Sequence, residues 1–188
     1  MTTRRRSAII LVGICLLMIS CTSDVLLKRE STVGLNGSFE ITDSGYPVNW
    51  EFFPNPETNS ALQVIVDTTY AVEGNQSIKL VAREIDDVVG IQSQQVQVQS
   101  GKTYRISLSV KLSGCSVWVR RATWDADSVP VNSRLAKVAD DLRSPGEWQH
   151  FEDILTIPER ETSIYVGLSV IGSGTVWCDD VRIEEVAE

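Results

Sequence analysis

The sequence predicts an all-β protein, folded as a β-sandwich of about nine strands, and three features carry that prediction. From residue 37 onward, apolar side chains alternate with polar ones in the period of two that a half-buried strand requires. Clusters rich in Gly, Pro and Ser, such as SGKT, PERETS and GSG, separate the alternating segments. A helical period is almost absent, although one stretch, NSRLAKVADDL, has room for a helical turn.

Nine short segments are the candidate strands, and their close spacing is typical of sandwiches and barrels. They are GSFEIT, ALQVIVD, SIKLVAR, VVGIQSQQVQVQ, TYRISLSVKLS, CSVWVRRATWD, EWQHFEDILTIP, SIYVGLSVI and TVWCDDVRIEEV. Alternation gives each segment an inward and an outward face. In the sixth segment Val117 and Val119 mark the core side. The outward face of that segment therefore carries Trp118, Arg120 and Trp124.

The last segment holds two adjacent carboxylates, Asp179 and Asp180, within an apolar alternation. Neighbouring side chains of a strand point to opposite faces, so one of the two must point toward the apolar side. Val181 marks that side and predicts that Asp179 and Trp177 point inward. Cys178 would then point outward with Asp180.

The first residues have the order of an export signal. Arginines at positions 4–6 precede an apolar run at 8–19 that is too short to span a bilayer comfortably. The run ends in MISC, which resembles the lipobox of bacterial lipoproteins and implies lipidation of Cys21; an ordinary cleaved signal or an N-terminal anchor is the alternative. We expect a signal peptide over residues 1–20, a tether over 21–33 and one sandwich domain over 34–188. The protein would be exported and lipid-anchored in the bacterial cell envelope, at the outer membrane or cell surface.

The charge balance is acidic, with 17 Lys and Arg against 25 Asp and Glu and a net charge of −8. Loss of residues 1–20 removes three arginines and brings the net charge to about −11. A nucleic-acid or anionic-membrane surface requires clustered Lys and Arg, so this balance argues against both. We therefore expect membrane contact through the lipid anchor only.

Two cysteines, Cys115 and Cys178, lie in the predicted domain, and an oxidising compartment would allow them to form a disulfide. Strand alternation places Cys115 inward and Cys178 outward, which argues against the pair. A bulge at Gly114 could reverse that relation, so the sequence leaves the question open.

Motifs for catalysis are missing from the sequence. Its one histidine, His150, has no nucleophile motif nearby, and we expect it to be an exposed strand residue. The sequence contains no glycine-rich phosphate loop and no His or Cys cluster at zinc spacing. Paired carboxylates of a glycoside hydrolase could still meet in space. The sequence thus predicts that the protein is not an enzyme, with a glycosidase as the least favoured alternative.

Aromatic and polar side chains on outward faces give the strongest functional signal. Flat rings suit the apolar faces of sugars, while amide and guanidinium groups suit their hydroxyls. The candidate carbohydrate-binding residues are Trp118, Arg120, Trp124, Tyr165, Gln95, Gln97, Gln99 and Arg105. The alternative is that the connection at 125–141 covers Trp118 or Trp124. The sequence leaves open whether Trp50 belongs to the core or to the wall of a groove.

The order of six segments forms a recognisable pattern. They are LNGSFE, GYPVNW, GNQSIKLV, VQVQSGKTYRISLSVKLSG, PGEWQHFEDILTIPE and GTVWCDDVRIEEV, and they span nearly all of residues 34–186. Together they resemble the carbohydrate-binding modules of the family 4/9/22 type. The resemblance implies a galactose-binding-domain-like jelly roll.

The same resemblance implies a structural calcium ion (Ca²⁺) held by Glu40, the loop from Gly74 to Ser77, and Asp179 or Asp180. A hard divalent cation would compensate a buried carboxylate, which is costly when unpaired. A basic side chain or backbone amides could compensate it instead.

These observations predict a lipid-anchored, non-catalytic module that binds a polysaccharide or oligosaccharide through its concave face. Because the sequence shows no hydrolase domain, its protein partner would be an enzyme or an envelope protein acting in trans. The alternative is a structural or adhesion lipoprotein whose sandwich face binds a protein partner.

Overall fold

The structure is a computed structural model that describes residues 34–53, 61–127, 130–140 and 146–186. They form ten strands, which are β1 (Thr42–Asp43), β2 (Tyr46–Pro47), β3 (Trp50–Phe53), β4 (Leu62–Asp67), β5 (Ser77–Ser93), β6 (Val96–Gln97), β7 (Thr103–Asp125), β8 (Pro130–Asp140), β9 (Gln149–Thr156) and β10 (Glu161–Glu185). The described ranges contain no α-helix, and so none that could cross a membrane. The predicted signal peptide, the tether and Cys21 lie outside the described residues.

Three long strands, β5, β7 and β10, each contribute to two sheets. In the first sheet the pairing order is β4, the first half of β5, the second half of β10, the first half of β7, and β9. In the second sheet the order is β3, the second half of β5, the first half of β10, the second half of β7, and β8. The short β6 pairs with the start of β10, and β1 and β2 form a separate hairpin. The predicted β-sandwich jelly roll is confirmed, with ten strands in place of nine.

The long strands change sheet at residues with left-handed backbone conformation. These are Glu84 in β5 (φ 53°), Gly114 in β7 (φ 87°) and Gly172 in β10 (φ 100°). Glycine adopts such a φ without the steric penalty of a side chain, which explains two of the three bends. Because of the bend at Gly114, two predicted segments, 103–113 and 115–125, are halves of one strand.

The core lies between the two sheets and has the composition that the alternation predicts. In β7 the first half buries Ile106, Leu108 and Val110 at 0% exposure, and the second half buries Val117 at 0% and Val119 at 3%. In β10 the buried set is Ile164, Val166, Leu168 and Val170. Burial of one such side chain contributes about 1.5–3 kcal/mol.

The segment expected to hold a helical turn, residues 132–142, is a strand as far as residue 140, and its last two residues lie outside the described part of the chain. Residues 130–140 form β8, which pairs with the second half of β7 from Ser116 to Trp124. Edge pairing along a preformed strand outweighs the modest helical preference of this stretch. Pro130 lies at the first position of an edge strand, where its missing N–H is tolerated. This part of the connection therefore extends the second sheet and does not cross the face of Trp118 and Trp124.

The inward and outward assignments at Trp177 and Cys178 are wrong, and a bulge explains why. The pairing register of β10 with β7 shifts between Asp179 and Arg182, and Asp180 has a φ of 54°. A bulge changes which residues face the core, so alternation cannot be extended back across it from Val181. Cys178 is fully buried, whereas Trp177 is partly exposed on the outer side of the first sheet.

Asp179 is buried at 0% exposure, but the prediction that it points inward is wrong. Because Cys178 faces the core, Asp179 points to the outer side of the first sheet together with Trp177. Its side chain contacts the loop that follows β4, where it accepts hydrogen bonds from the Val72 and Glu73 amides at 2.6 and 3.0 Å. Cys115 and Cys178 are both buried and form no disulfide with each other, and they lie in different sheets. His150 is exposed on β9, as predicted.

Candidate functional site

The outer face of the second sheet brings several predicted residues into neighbouring rows. In one row Arg120 of β7 lies opposite Gly167 of β10, which lies opposite Gln92 of β5, and Gln92 lies opposite Glu51 of β3. The adjacent row consists of Trp118, Ser169, Gly90 and Phe53. Residues that pair in register project to the same side of a sheet, so all these side chains share one surface.

The Arg120 guanidinium contacts two aromatic rings on this surface. Its Cζ atom lies 4.8 Å from the ring centroid of Phe53 and 5.7 Å from that of Tyr165, both within the range of a cation–π interaction. The ring of Trp124 lies 6.3 Å from that of Tyr165, at an interplanar angle of 48°. We refer to Phe53, Trp118, Arg120, Trp124 and Tyr165 as the Arg120 face.

Two glycines make the contact of Arg120 with Phe53 possible. The strands β7 and β3 are separated by β10 and β5, so their backbones lie about 14 Å apart. Arg120 lies opposite Gly167, and Phe53 lies opposite Gly90, so no side chain stands between them at these positions. The long arginine side chain crosses this bare strip of backbone to reach the ring.

Tyr165 lies beneath the surface of the Arg120 face. It is only 5% exposed, whereas Trp118, Arg120 and Trp124 are partly exposed. Burial raises the pKa of the Tyr165 hydroxyl, and the charge of Arg120 opposes that rise. The prediction that Tyr165 faces outward is confirmed for its side of the sheet, but its neighbours cover it. Tyr165 therefore supports Arg120 and Trp124 from below.

Two of the three predicted glutamines border the Arg120 face. Gln97 pairs in register with Ser163, and the Ser163 hydroxyl donates a 2.8 Å hydrogen bond to the Gln95 side-chain oxygen. Gln99 follows β6, and its carbonyl accepts a hydrogen bond from the Lys102 amide in the turn before β7. Gln99 is thus part of the turn between the two sheets and does not belong to the same rows.

The prediction that Arg105 lies on this face is wrong. Arg105 lies in the first half of β7, where it pairs with Ile154 of β9 in the first sheet. Its Nε atom lies 3.4 Å from Glu152 Oε1. The bend at Gly114 separates Arg105 from Trp118 and Arg120, since the two halves of β7 belong to opposite layers of the sandwich.

Three residues of this surface were missed by the sequence interpretation: Phe53, Glu51 and Gln92. The Gln92 side chain donates a 2.6 Å hydrogen bond to Glu51 Oε1, which extends the polar row to the edge strand β3. Alternation in WEFF would have revealed Phe53, because Trp50 is a core residue. The Trp50 ring is 9% exposed, and its Nε1 donates to the Leu35 carbonyl at 2.9 Å.

Comparison with known families decides what kind of domain this is. The family model described as "Carbohydrate binding domain", of the CBM 4/9 type, matches residues 31–170. The chain belongs to this carbohydrate binding domain family. The matched range includes every strand of the second sheet, and with it all members of the Arg120 face.

Several solved structures, among them carbohydrate binding domains, share the fold at low sequence identity. The CBM22-1 xylan-binding domain of Paenibacillus barcinonensis Xyn10C is 16% identical, with a TM-score of 0.54 over 81% of this chain and 93% of that domain. A CBM4 structure is 17% identical, with a TM-score of 0.54 over 80% of this chain and 98% of that one. The enzymatically active domain of bacteriophage CBA120 tailspike protein 4 is 11% identical, with a TM-score of 0.63 over 80% of this chain and 21% of that one.

One curated relative is similar over part of its length. The uncharacterized HTH-type transcriptional regulator YbfP of Bacillus subtilis (strain 168) is 29% identical over 92 residues. The alignment covers 47% of this chain and 30% of the regulator.

Three of the residues predicted to hold calcium meet at one loop, residues 68–76. Gly74 belongs to this loop, and Glu40 and Asp179 contact it. Glu40 Oε1 accepts hydrogen bonds from the Asn75 and Gln76 amides at 2.9 and 3.0 Å. Gly74 lies so close that an added Cβ would stand 2.4 Å from Glu40 Oε1. Glu40 and Asp179 therefore bind the backbone amides of the loop from two sides. Backbone amides were the alternative to a cation for compensating a buried carboxylate.

Asp180, the fourth predicted calcium residue, is engaged elsewhere. Its Oδ1 accepts a hydrogen bond from Arg182 Nε, and Arg182 also lies 3.2 Å from Glu73 Oε2. Within the described ranges, no three His, Cys, Asp or Glu side chains form a group that could hold a metal ion. Ca²⁺ does accept backbone carbonyl oxygens alongside carboxylates, so Glu40, Asp179 and the loop carbonyls are a compatible set of donors. Calcium binding stays a prediction.

Proposed function

We propose that this domain binds a polysaccharide or oligosaccharide on the Arg120 face and catalyses no reaction on it. The observation that supports this proposal most directly is the group of contacts among Phe53, Arg120, Tyr165 and Trp124 on the outer side of a sheet. Partly exposed rings next to hydrogen-bond donors suit the alternating apolar and hydroxyl-bearing surfaces of a sugar chain. The membership in a carbohydrate binding domain family supports the same conclusion.

Trp124 also supplies a donor that is unused among the described residues. Its Nε1 atom is buried and has no hydrogen-bond partner within the described part of the chain. A buried indole N–H usually has such a partner. A hydroxyl of a bound sugar is a suitable acceptor once the ligand displaces the side chains nearby.

Affinity gel electrophoresis on a panel of neutral and acidic polysaccharides tests the proposal. We expect retention of the wild-type domain on at least one polymer, and loss of that retention in Trp118→Ala and Trp124→Ala with little change in the thermal melt. Tyr70→Ala is the control, because Tyr70 is 40% exposed and contacts Trp177 of the first sheet. A large loss of stability in the tryptophan variants would make these residues core residues.

A second set of outcomes distinguishes the alternatives. No retention on any polymer, together with a protein recovered by cross-linking, would favour a sandwich face that binds a protein partner. Release of reducing sugar by the purified domain would contradict the non-catalytic assignment. Xylan belongs in the panel because one similar structure is described as a xylan-binding domain.

We also propose that a lipid on Cys21 tethers the domain to the cell envelope, where it presents the glycan to an enzyme or an envelope protein. The order of arginines, apolar run and MISC supports this placement. In expressing cells, labelled fatty acid should enter the wild-type protein and not Cys21→Ala. Equal labelling of both proteins, or of neither, would contradict lipidation at this residue.

We further propose that Glu40, Asp179 and carbonyl oxygens of the 68–76 loop hold a structural Ca²⁺. Its role would be to compensate the Asp179 carboxylate and to fix the loop. The close approach of Gly74 to Glu40 and the burial of Asp179 beside the same loop support this proposal.

A further inference from the structure

Arg120 differs from the other arginines by the partners of its guanidinium. Three other arginines with at least partly buried side chains each have a carboxylate partner. They are Arg105 with Glu152 at 3.4 Å, Arg121 with Asp153 at 2.8 Å, and Arg182 with Glu73 at 3.2 Å. Among the side chains that the structure describes, no carboxylate forms an ion pair with Arg120, whose contacts are two aromatic rings.

The acidic residue in the same row, Glu51, has a hydrogen-bond partner of its own. Glu51 lies on β3, and its Oε1 accepts the hydrogen bond from Gln92. The row between them contains Gly167, which has no side chain. Two rings therefore hold the guanidinium at the centre of the face, and no described carboxylate engages its N–H groups.

We propose that the ligand of the Arg120 face is a glycan that contains uronic acid residues, whose carboxylate pairs with Arg120. This inference rests on the proposed function. A guanidinium binds a planar carboxylate through two parallel hydrogen bonds, and such charge-assisted bonds are roughly twice as strong as those to a neutral hydroxyl. The sugar ring that bears the carboxylate then lies against the aromatic rings that flank Arg120.

The net charge of the protein makes this proposal specific. At −8, the chain as a whole repels an acidic polymer, so general electrostatic attraction cannot explain retention on one. At physiological salt this repulsion is screened beyond about 8 Å, which leaves a local pair at Arg120 intact. Binding of a polyuronate would therefore indicate a specific site at Arg120 and not nonspecific electrostatic attraction.

The test compares polymers that differ only in the carboxylate. Isothermal titration calorimetry with the full domain would use glucuronoxylan and the same polymer after chemical reduction of its carboxyl groups, with polygalacturonate as a second acidic probe. We expect the acidic form to bind at least about tenfold more tightly than its reduced form. Arg120→Gln should abolish that ratio, whereas Arg120→Lys, which keeps the charge and loses the planar fork, should lower it.

Arg105→Gln is the matched control, because it removes an arginine from the other sheet and should leave the ratio unchanged. Equal affinity for the acidic and reduced polymers would overturn the uronate assignment while the proposed function stands. Binding to dextran sulfate but to neither uronate would overturn it too, because the anion would then be a sulfate ester. If no polymer binds, the proposed function itself fails. The wild-type ratio decides the proposal even if Arg120→Gln does not fold.

Discussion

Arg121 and Asp153 connect the two sheets of the sandwich, with Arg121 Nε donating a 2.8 Å hydrogen bond to Asp153 Oδ2. Arg121 pairs in register with Val166 in the second sheet, and Asp153 pairs with Ile106 in the first. Both neighbours are fully buried, so the two charged side chains point into the sandwich from opposite layers. We expect Asp153→Ala to lower the free energy of unfolding by about 3–5 kcal/mol, because it leaves the Arg121 charge buried without a partner.

The double variant Arg121→Met with Asp153→Leu separates pairing from burial. Replacement of both charges by apolar side chains removes the desolvation cost along with the attraction. The double variant should therefore lose much less free energy of unfolding than Asp153→Ala does. Urea unfolding of wild type, Arg121→Met, Asp153→Leu and the double variant gives the coupling energy. A double variant as unstable as the single one would contradict the view that the unpaired charge is the main cost.

Asp67 gives the fold a pH dependence on the acid side. Burial raises the pKa of this carboxyl, but hydrogen bonds from Trp177 and Thr69 and the charge of Lys79 outweigh burial and leave its pKa below the ordinary value. A lowered pKa stabilises the fold above the unfolded pKa of about 3.9, and the stabilisation is lost as pH falls through the lower folded value. The hydrogen bond from Trp177 Nε1, at 2.7 Å, is worth about 1.5–3 kcal/mol.

Thermal melts of wild type and Asp67→Asn between neutral and strongly acidic pH check this expectation. At neutral pH the wild type should melt at a higher temperature than Asp67→Asn. This difference in melting temperature should shrink below about pH 4, where the Asp67 carboxyl becomes protonated. A difference that is constant across the range would show that the charge of Asp67 plays no part.

The strands were predictable from the sequence, but the paths they take were not. Alternation identified the inward residues on both sides of Gly114, because burial of one face imposes the period of two. A glycine between two alternating segments permits either a turn or a bend, and the sequence does not distinguish the two. The misplacement of Arg105 follows from this ambiguity.

The candidate site was predictable where alternation is unbroken. Trp118, Arg120 and Trp124 lie on one face of β7, as their spacing predicts. The contact of Arg120 with Phe53 depends on strands distant in sequence and could not be read from local pattern. Likewise, alternation cannot reveal the left-handed conformation of Asp180, since non-glycine residues rarely adopt it.

The 68–76 loop should respond to calcium if the ion binds where we propose. We expect Ca²⁺ to raise the melting temperature and excess chelator to lower it, because an oxygen-ligated cation stabilises the folded form alone. Glu40→Gln keeps an oxygen that can accept the Asn75 and Gln76 amides but loses the negative charge. This variant should remain folded and lose most of the calcium response. A wild-type melt that neither additive changes would mean that the amide hydrogen bonds of Glu40 and Asp179 hold the loop by themselves.

Two glycines under Arg120 should differ sharply in their tolerance of a side chain. A Cβ at Gly90 would lie 1.6 Å from the Leu168 carbonyl oxygen, whereas a Cβ at Gly167 would lie 3.0 Å from the Ile91 oxygen and 3.2 Å from Gln92 Cβ. The first contact is with backbone that cannot move without breaking the second sheet. We expect Gly90→Ala to destabilise the domain by at least about 4 kcal/mol. The cost at Gly167→Ala should be about 1–3 kcal/mol, typical of overpacking.

Because Gly167 lies directly opposite Arg120, its variant should also weaken glycan binding while the domain remains folded. Chemical denaturation measures the first difference, and calorimetry on folded Gly167→Ala measures the second. Unchanged affinity in that variant would mean that Arg120 does not need the bare strip of backbone to hold its ligand.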